Sequence, residues 1–349
     1  GTTGTIGWYE YRGGAPLSEN KVINADFSIN QRAFTSTTTA NTYGFDRWKL
    51  SRAGDGTATY SAQTFTPGAA PIAGFEAASF ARLVTTGQST SAVESIFVQD
   101  IEDVRTLAGQ TVTVSFYAKA ASGTPKVALE FEQNFGSGGS PSATVPTYGG
   151  QATLSTSWQR YSITASVPSI SGKTIGTTAN TSSLRFNLWV SSGPNSNSRT
   201  GSLGIQSNTF DFWGMQIEQG PVATAFRRNQ PNIQAELAAC QRYYWRRTAS
   251  ASASILVAGG YAYATNGIQM FMQNPVQMRT TATSIDWTGT ASNYAINGTG
   301  SPSLGIDSGW CSPDMTALAS TSHSGLTVNQ CVILRAAVVG AYIGASAEF

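Results

Sequence analysis

The sequence predicts an all-β protein: a jelly-roll β-sandwich followed by a short helix and a smaller C-terminal β-sandwich domain. Three observations carry that prediction. Charged residues make up only 11% of the 349 residues, against roughly 25% in an ordinary soluble domain. The surface is therefore built from Ser, Thr, Asn, Gln and Gly, which suits strands and turns better than the Glu/Lys faces of a helical bundle. Runs of alternating apolar and polar residues, the period of a half-buried strand, recur between turns rich in Gly, Pro, Ser and Asn. The pattern changes once, at NIQAELAACQRYYWRR (Asn232–Arg247), which has no Gly or Pro.

Taken in order, residues 1–20 are Gly-rich and aperiodic and read as an N-terminal arm or linker. Residues 21–228 carry the clearest strands: Thr111–Lys119 (TVTVSFYAK), Lys126–Glu132 (KVALEFE), Trp158–Val167 and Ser183–Val190 (SLRFNLWV), with long loops such as 134–152 between them. About eight to ten strands at this spacing argue for a sandwich or jelly roll. Residues 229–249 form the connecting helix. Asn229 and Pro231 start it, Ile233, Leu237, Cys240 and Tyr244 form one stripe, and Arg242, Arg246 and Arg247 complement its C-terminal dipole. Residues 250–349 return to strands at Ser254–Val257, Gly267–Met272, Met278–Trp287 and Cys331–Val339. No repeat of about 20–50 residues is present, which weighs against a β-helix.

Several functions are excluded on composition. A net charge of +2 supplies no footprint for nucleic acid or an anionic membrane. No run of about 18 apolar residues marks a membrane span. Cys240, Cys311 and Cys331 have no C-x-x-C spacing, so neither a disulfide framework nor a zinc site is indicated. His323, in STSHSG, reads as an exposed loop residue, and no G-x-S-x-G elbow accompanies it.

Alternation places a candidate binding face. Val112, Val114, Phe116 and Ala118 point inward, leaving Tyr117 and Lys119 outward; Val127, Leu129 and Phe131 leave Glu130 and Glu132; Leu184, Phe186, Leu188 and Val190 leave Arg185, Asn187 and Trp189. Aromatic planes beside amide, guanidinium and carboxylate groups are the chemistry sugars require, since rings take the C–H side and planar polar groups take hydroxyl pairs. Packing against a second subunit is the competing account of the same face. Glu130 and Glu132 stand about 7 Å apart by strand rise, within reach of a glycosidase pair. Two carboxylates side by side on one open strand do not flank a bond in different environments, however, and no catalytic residue is assigned. Asp46-Arg47-Trp48 reads as a buried Trp anchored by an ion-pairing Asp/Arg, and Trp158, Trp213 and Phe226 read as core.

Asn20–Arg32 (NKVINADFSINQR), Tyr43–Trp48 (YGFDRW), Thr106–Ala118 (TLAGQTVTVSFYA), Ser155–Tyr161 (STSWQRY), Phe210–Phe226 (FDFWGMQIEQGPVATAF), Ala235–Tyr244 (AELAACQRYY) and the terminal Ser346–Phe349 (SAEF) occur in that order. Together they resemble phage tail-fibre and virion-surface proteins with a carbohydrate-binding-module-like jelly roll. The resemblance implies a non-enzymatic protein on the virion exterior, on tail or head. It would be a homotrimer among other virion proteins, binding host-surface polysaccharide. It also implies a structural calcium between the first and last strands, with Asp26 (NADF) and Asp211 (FDFW) as ligands; strand-end hydrogen bonding explains both carboxylates equally well. The alternative function is a purely structural head-decoration or adaptor protein, and a polysaccharide-degrading enzyme comes last.

Overall fold

The structure, a computed structural model, describes residues 19–349 apart from 258, 298, 299, 301 and 322. The arm expected at residues 1–20 lies, up to residue 18, outside the described residues. The chain is all-β, with 41% of it in strands. Among the described residues no helix is long and apolar enough to cross a membrane.

Twelve strands build the sandwich. They are β1 (Ser36–Thr37), β2 (Thr42–Tyr43), β3 (Lys49–Ala53), β4 (Thr57–Thr64), β5 (Ser79–Thr86) and β6 (Glu94–Ile101). Then follow β7 (Thr111–Ala120), β8 (Lys126–Asn134), β9 (Val145–Thr153), β10 (Gln159–Ser166), β11 (Ser183–Ser192) and β12 (Asn208–Gln219). The first sheet runs β1-β4-β5-β12-β7-β10 and the second β2-β3-β6-β11-β8-β9. The inward residues expected on β7, β8 and β11 are all buried and share one core. Aromatic contacts bridge the two sheets: Phe97 stacks on Phe212 at 6.0 Å and meets Tyr60 edge-on at 5.3 Å. Each such side chain contributes roughly 1.5–3 kcal/mol on burial, so this inner layer is the main source of stability.

Trp48 sits in that core, stacked 4.5 Å from Phe97. Asp46 and Arg47 do not pair with each other as the sequence suggested. Arg47 takes a left-handed backbone (φ 73°), which turns the two side chains apart. Asp46 accepts from the Gln31 backbone N–H and from Gln31 Nε2, each at 2.7 Å. Arg47 pairs with Glu348, and its guanidinium lies 3.4 Å from the centre of the Tyr243 ring.

The expected helix is shorter than its sequence pattern. Helix α2 covers Ile233–Gln241, capped by Asn232, whose side chain accepts from Ala235 N–H at 2.9 Å. Tyr244 has already entered a strand, β13 (Tyr244–Thr248), where consecutive aromatic residues favour an extended backbone. Ile233, the first residue of the expected stripe, is 43% exposed, whereas Glu236 is fully buried. Glu236 accepts from the backbone N–H groups of Asn24 (2.5 Å) and Gln230 (2.9 Å). The helix therefore docks by a polar clamp as well as by Cys240. Burial pushes the Glu236 carboxyl up, and the two backbone donors only partly offset this.

The remaining strands are β14 (Ile255–Val257), β15 (Gly259–Ala262), β16 (Ile268–Gln273), β17 (Ser284–Trp287) and β18 (Tyr294–Ile296). After them come β19 (Gly305–Ile306), β20 (Met315–Ser320), β21 (Leu334–Ala336) and β22 (Tyr342–Ser346). They form three small sheets, β13-β22-β17, β14-β21-β18 and β15-β16-β20-β19, around a second core that includes Leu256, Met270, Leu318, Leu334 and Ile343. His323 belongs inside this region rather than on an open loop: it is 4% exposed and packs against the Cα of Gly300.

Arginine side chains join the two cores. Arg32 lies 3.5 Å from the centre of the Tyr244 ring and 3.4 Å from Glu348. Arg279 donates to the carbonyls of Ala347 (3.0 Å) and Glu348 (3.1 Å) and covers the Phe349 ring at 3.9 Å. Beside these contacts is a cleft of about 400 Å³, lined in part by Tyr43, Tyr244, Asp286 and Tyr342.

Candidate functional site

The structure separates the predicted binding residues. Tyr117 and Lys119 lie on β7 in the first sheet, while Glu130, Glu132, Arg185, Asn187 and Trp189 lie on β8 and β11 in the second. Outward residues of two sheets that share a core point in opposite directions, so the single predicted face does not exist. Alternation tells inward from outward but not which sheet a strand joins. On the first sheet, Tyr117 packs 5.7 Å from Trp213, and Lys119 sits 5.4 Å from the Trp158 ring and 3.7 Å from Asp211.

On the second sheet the register makes Arg185 the neighbour of Glu132 and Asn187 the neighbour of Glu130. Outward here is not exposed. After β11, residues 193–204 fold back over the sheet through helix α1 (Asn197–Thr200). Leu203 packs with Trp189, Ile96, Val98 and Ala128. Arg199 lies 5.1 Å over the Trp189 ring and holds Glu130 through Nε (2.6 Å) and Nη2 (3.0 Å). Asn187 Nδ2 and Trp189 Nε1 also donate to Glu130, both at 2.9 Å. Three of these donors converge on Oε2 and one reaches Oε1, and Glu130, Asn187 and Trp189 are all buried, so the three are sealed from a ligand. That arrangement corrects their expected exposure.

A ladder of alternating charge crosses the face. Lys49 reaches Asp100 (2.9 Å), Asp100 holds Arg185 (2.8 Å), Arg185 meets Glu132 (3.4 Å), and Glu132 meets Arg199 (3.0 Å). Burial alone would raise the Asp100 carboxyl, but Lys49 and Arg185 hold it below its usual value. For Glu132 burial wins over Arg185 and Arg199, and its carboxyl is raised.

Solvent still reaches one end of the ladder. The side chains of Arg185, Arg199 and Glu132 are 31%, 29% and 15% exposed. Beside them stands Tyr148, 42% exposed, within the stretch 134–152 whose sequence predicts a long loop. A bulge between Leu129 and Glu130 puts Tyr148 directly opposite Glu130, so its ring shares the outer face. Gly201, at φ 61°, lies beneath that ring: a Cβ there would come within 2.5 Å of it. The site is thus an exposed aromatic plane laid on bare backbone, next to two guanidinium forks that share one carboxylate. It can stack on an apolar ring face and bind paired hydroxyls.

The proposed calcium ligands do not fit a metal. Asp211 is held by both nitrogens of the Arg82 fork (2.7 and 2.9 Å), and Asp26 accepts from Arg228 Nε (2.6 Å) and the Ser28 N–H (3.3 Å). Each carboxylate is neutralised by its own arginine, where a calcium site would gather oxygens around one point. Among the described residues no three His, Cys, Asp or Glu come together to hold an ion.

No protein-family model and no curated protein matches the chain. Among solved structures, one similar chain is the enzymatically active domain of bacteriophage CBA120 tailspike protein 4, at 14% identity and TM-score 0.32, over 58% of this chain and 21% of that one. A second is the CBM22-2 xylan-binding domain from Paenibacillus barcinonensis, at 17% identity and TM-score 0.32, over 53% of this chain and 98% of that one. A third is the TmCBM61 module solved with β-1,4-galactotriose, at 11% identity and TM-score 0.29, over 58% and 100%. These similar chains are carbohydrate-binding modules and one phage tailspike domain, of which this chain spans about a fifth.

Proposed function

We propose that this chain is a non-catalytic virion protein of tail-fibre or spike type, on the particle exterior. It holds phage to host-surface polysaccharide through the outer face of the second sheet. It acts as a homotrimer among other virion proteins, as the sequence resemblance implies. One arrangement supports the binding role: the open Tyr148 ring beside the part-exposed Arg185–Glu132–Arg199 cluster. Glu130 supports the non-catalytic reading, because its oxygens are engaged by Asn187, Trp189 and Arg199 and are shut away from water.

The test is host adsorption and glycan-array binding by the wild type against Tyr148→Ala and Glu132→Gln. Tyr148→Ala is expected to lower affinity about ten-fold while leaving the melting temperature unchanged. Because the Glu132 carboxyl is raised, wild-type binding should also fall on mild acidification, at a pH above that of an ordinary Glu; Glu132→Gln should lose this dependence. Binding unchanged in both variants would remove the site. An image of the particle with this chain localised would test both its place and its copy number.

A structural adaptor is the second reading. One observation favours it: residues 193–204 already cover much of the second sheet's outer face. Burial of Tyr148 by a neighbour in the assembled particle would decide for it.

A further inference from the structure

The four-stranded sheet of the distal core carries a separate surface. Ala262 is buried, whereas Tyr261 and Tyr263 on either side of it are 38% and 44% exposed, so the two rings share the outward side. The Tyr263 N–H donates to the Gly267 carbonyl at 3.1 Å, which sets these residues opposite each other. A Cβ at 267 would come within 2.5 Å of the Tyr263 ring. The ring therefore lies down on bare glycine backbone and turns its other face to solvent.

One step along, the Tyr261 hydroxyl donates to Gln269 Oε1 (2.8 Å), and Gln269 Nε2 donates to Asp307 Oδ2 (2.7 Å). This relay crosses β20 at Ala319, opposite Gln269, with Ala317 next on the same side, opposite Phe271. Small side chains there let the relay lie flat. Trp310, in the turn after Asp307, is 58% exposed. No position on β15, β16, β19 or β20 is Lys or Arg.

Gln269 is only 5% exposed and serves to fix the Tyr261 ring. The open ring faces beside the part-exposed Asp307 carboxylate suit a ligand with apolar C–H faces and hydroxyls. Without cations the surface offers nothing to an anionic chain. We infer that this face is a second binding surface, for a neutral oligosaccharide laid across Tyr261 and Tyr263. It rests on the glycan-binding reading above and uses none of that site's residues.

The test passes the full chain over a panel of immobilised neutral and anionic oligosaccharides. Alongside the wild type run Tyr261→Ala/Tyr263→Ala, Gly267→Ala and Tyr148→Ala, with thermal melts to confirm that each is folded. The tyrosine pair variant is expected to lose about ten-fold or more in affinity for neutral oligosaccharides that Tyr148→Ala still binds. Gly267→Ala, which lifts the Tyr263 ring, should lose part of it. Full binding by the pair variant overturns this surface and leaves the first site standing. Wild-type binding confined to anionic glycans does the same. No glycan binding at all by the wild type overturns both.

Discussion

At the scale of single residues, Glu130 decides what the second sheet's outer face is. It has no solvent exposure, so its charge is tolerated only because Arg199, Asn187 and Trp189 all donate to it. Removing one partner of a buried charge pair costs far more than the pair contributes. Arg199→Leu should therefore lower unfolding stability by about 3 kcal/mol in urea titrations, and adding Glu130→Gln should recover part of that loss. A change within experimental error would mean that water already reaches Glu130. The alternation in KVALEFE and SLRFNLWV places Glu130, Asn187 and Trp189 on the outer side correctly. It contains nothing about Arg199 and Leu203, which lie beyond a Gly-Pro turn and close over them. Tyr148 was illegible for a different reason: its neighbours Gly149 and Gly150 read as loop, whereas they form the bulge that aims it.

At the scale of elements, strands with strict alternation were legible. Thr111–Lys119 and Ser183–Val190 appear within β7 and β11 to within two residues. Strand β9, VPTYGGQAT, was not, because Gly and Pro break its pattern and its position at the edge of the sheet tolerates them. The helix was legible in kind, and its stripe in part: Cys240 is buried, but Ile233 is exposed, and Glu236 is buried where backbone donors of Asn24 and Gln230 need an acceptor. Apolar periodicity is blind to such a need, because the donors come from segments distant in sequence.

At the scale of the whole molecule, side chains such as Gln31, Arg32, Arg47, Asn180 and Arg279 join the two cores, and Arg47 is the most buried of these arginines. It carries the Glu348 ion pair and the Tyr243 stack together, at 1% exposure. Arg47→Ala would leave the nearly buried Glu348 to Arg32 alone. The expected outcome in calorimetry is a single unfolding transition split into two, with the distal part melting first; one unshifted transition would show that the joint does not couple the cores. The ladder from Lys49 to Arg199 has a kinetic consequence. Each charge sits against its opposite within a few ångströms, so little field extends past the roughly 8 Å over which physiological salt screens. A surface of this kind does not draw a partner in from a distance. Capture by this protein would begin at contact, and its association rate should stay nearly flat from low to physiological ionic strength.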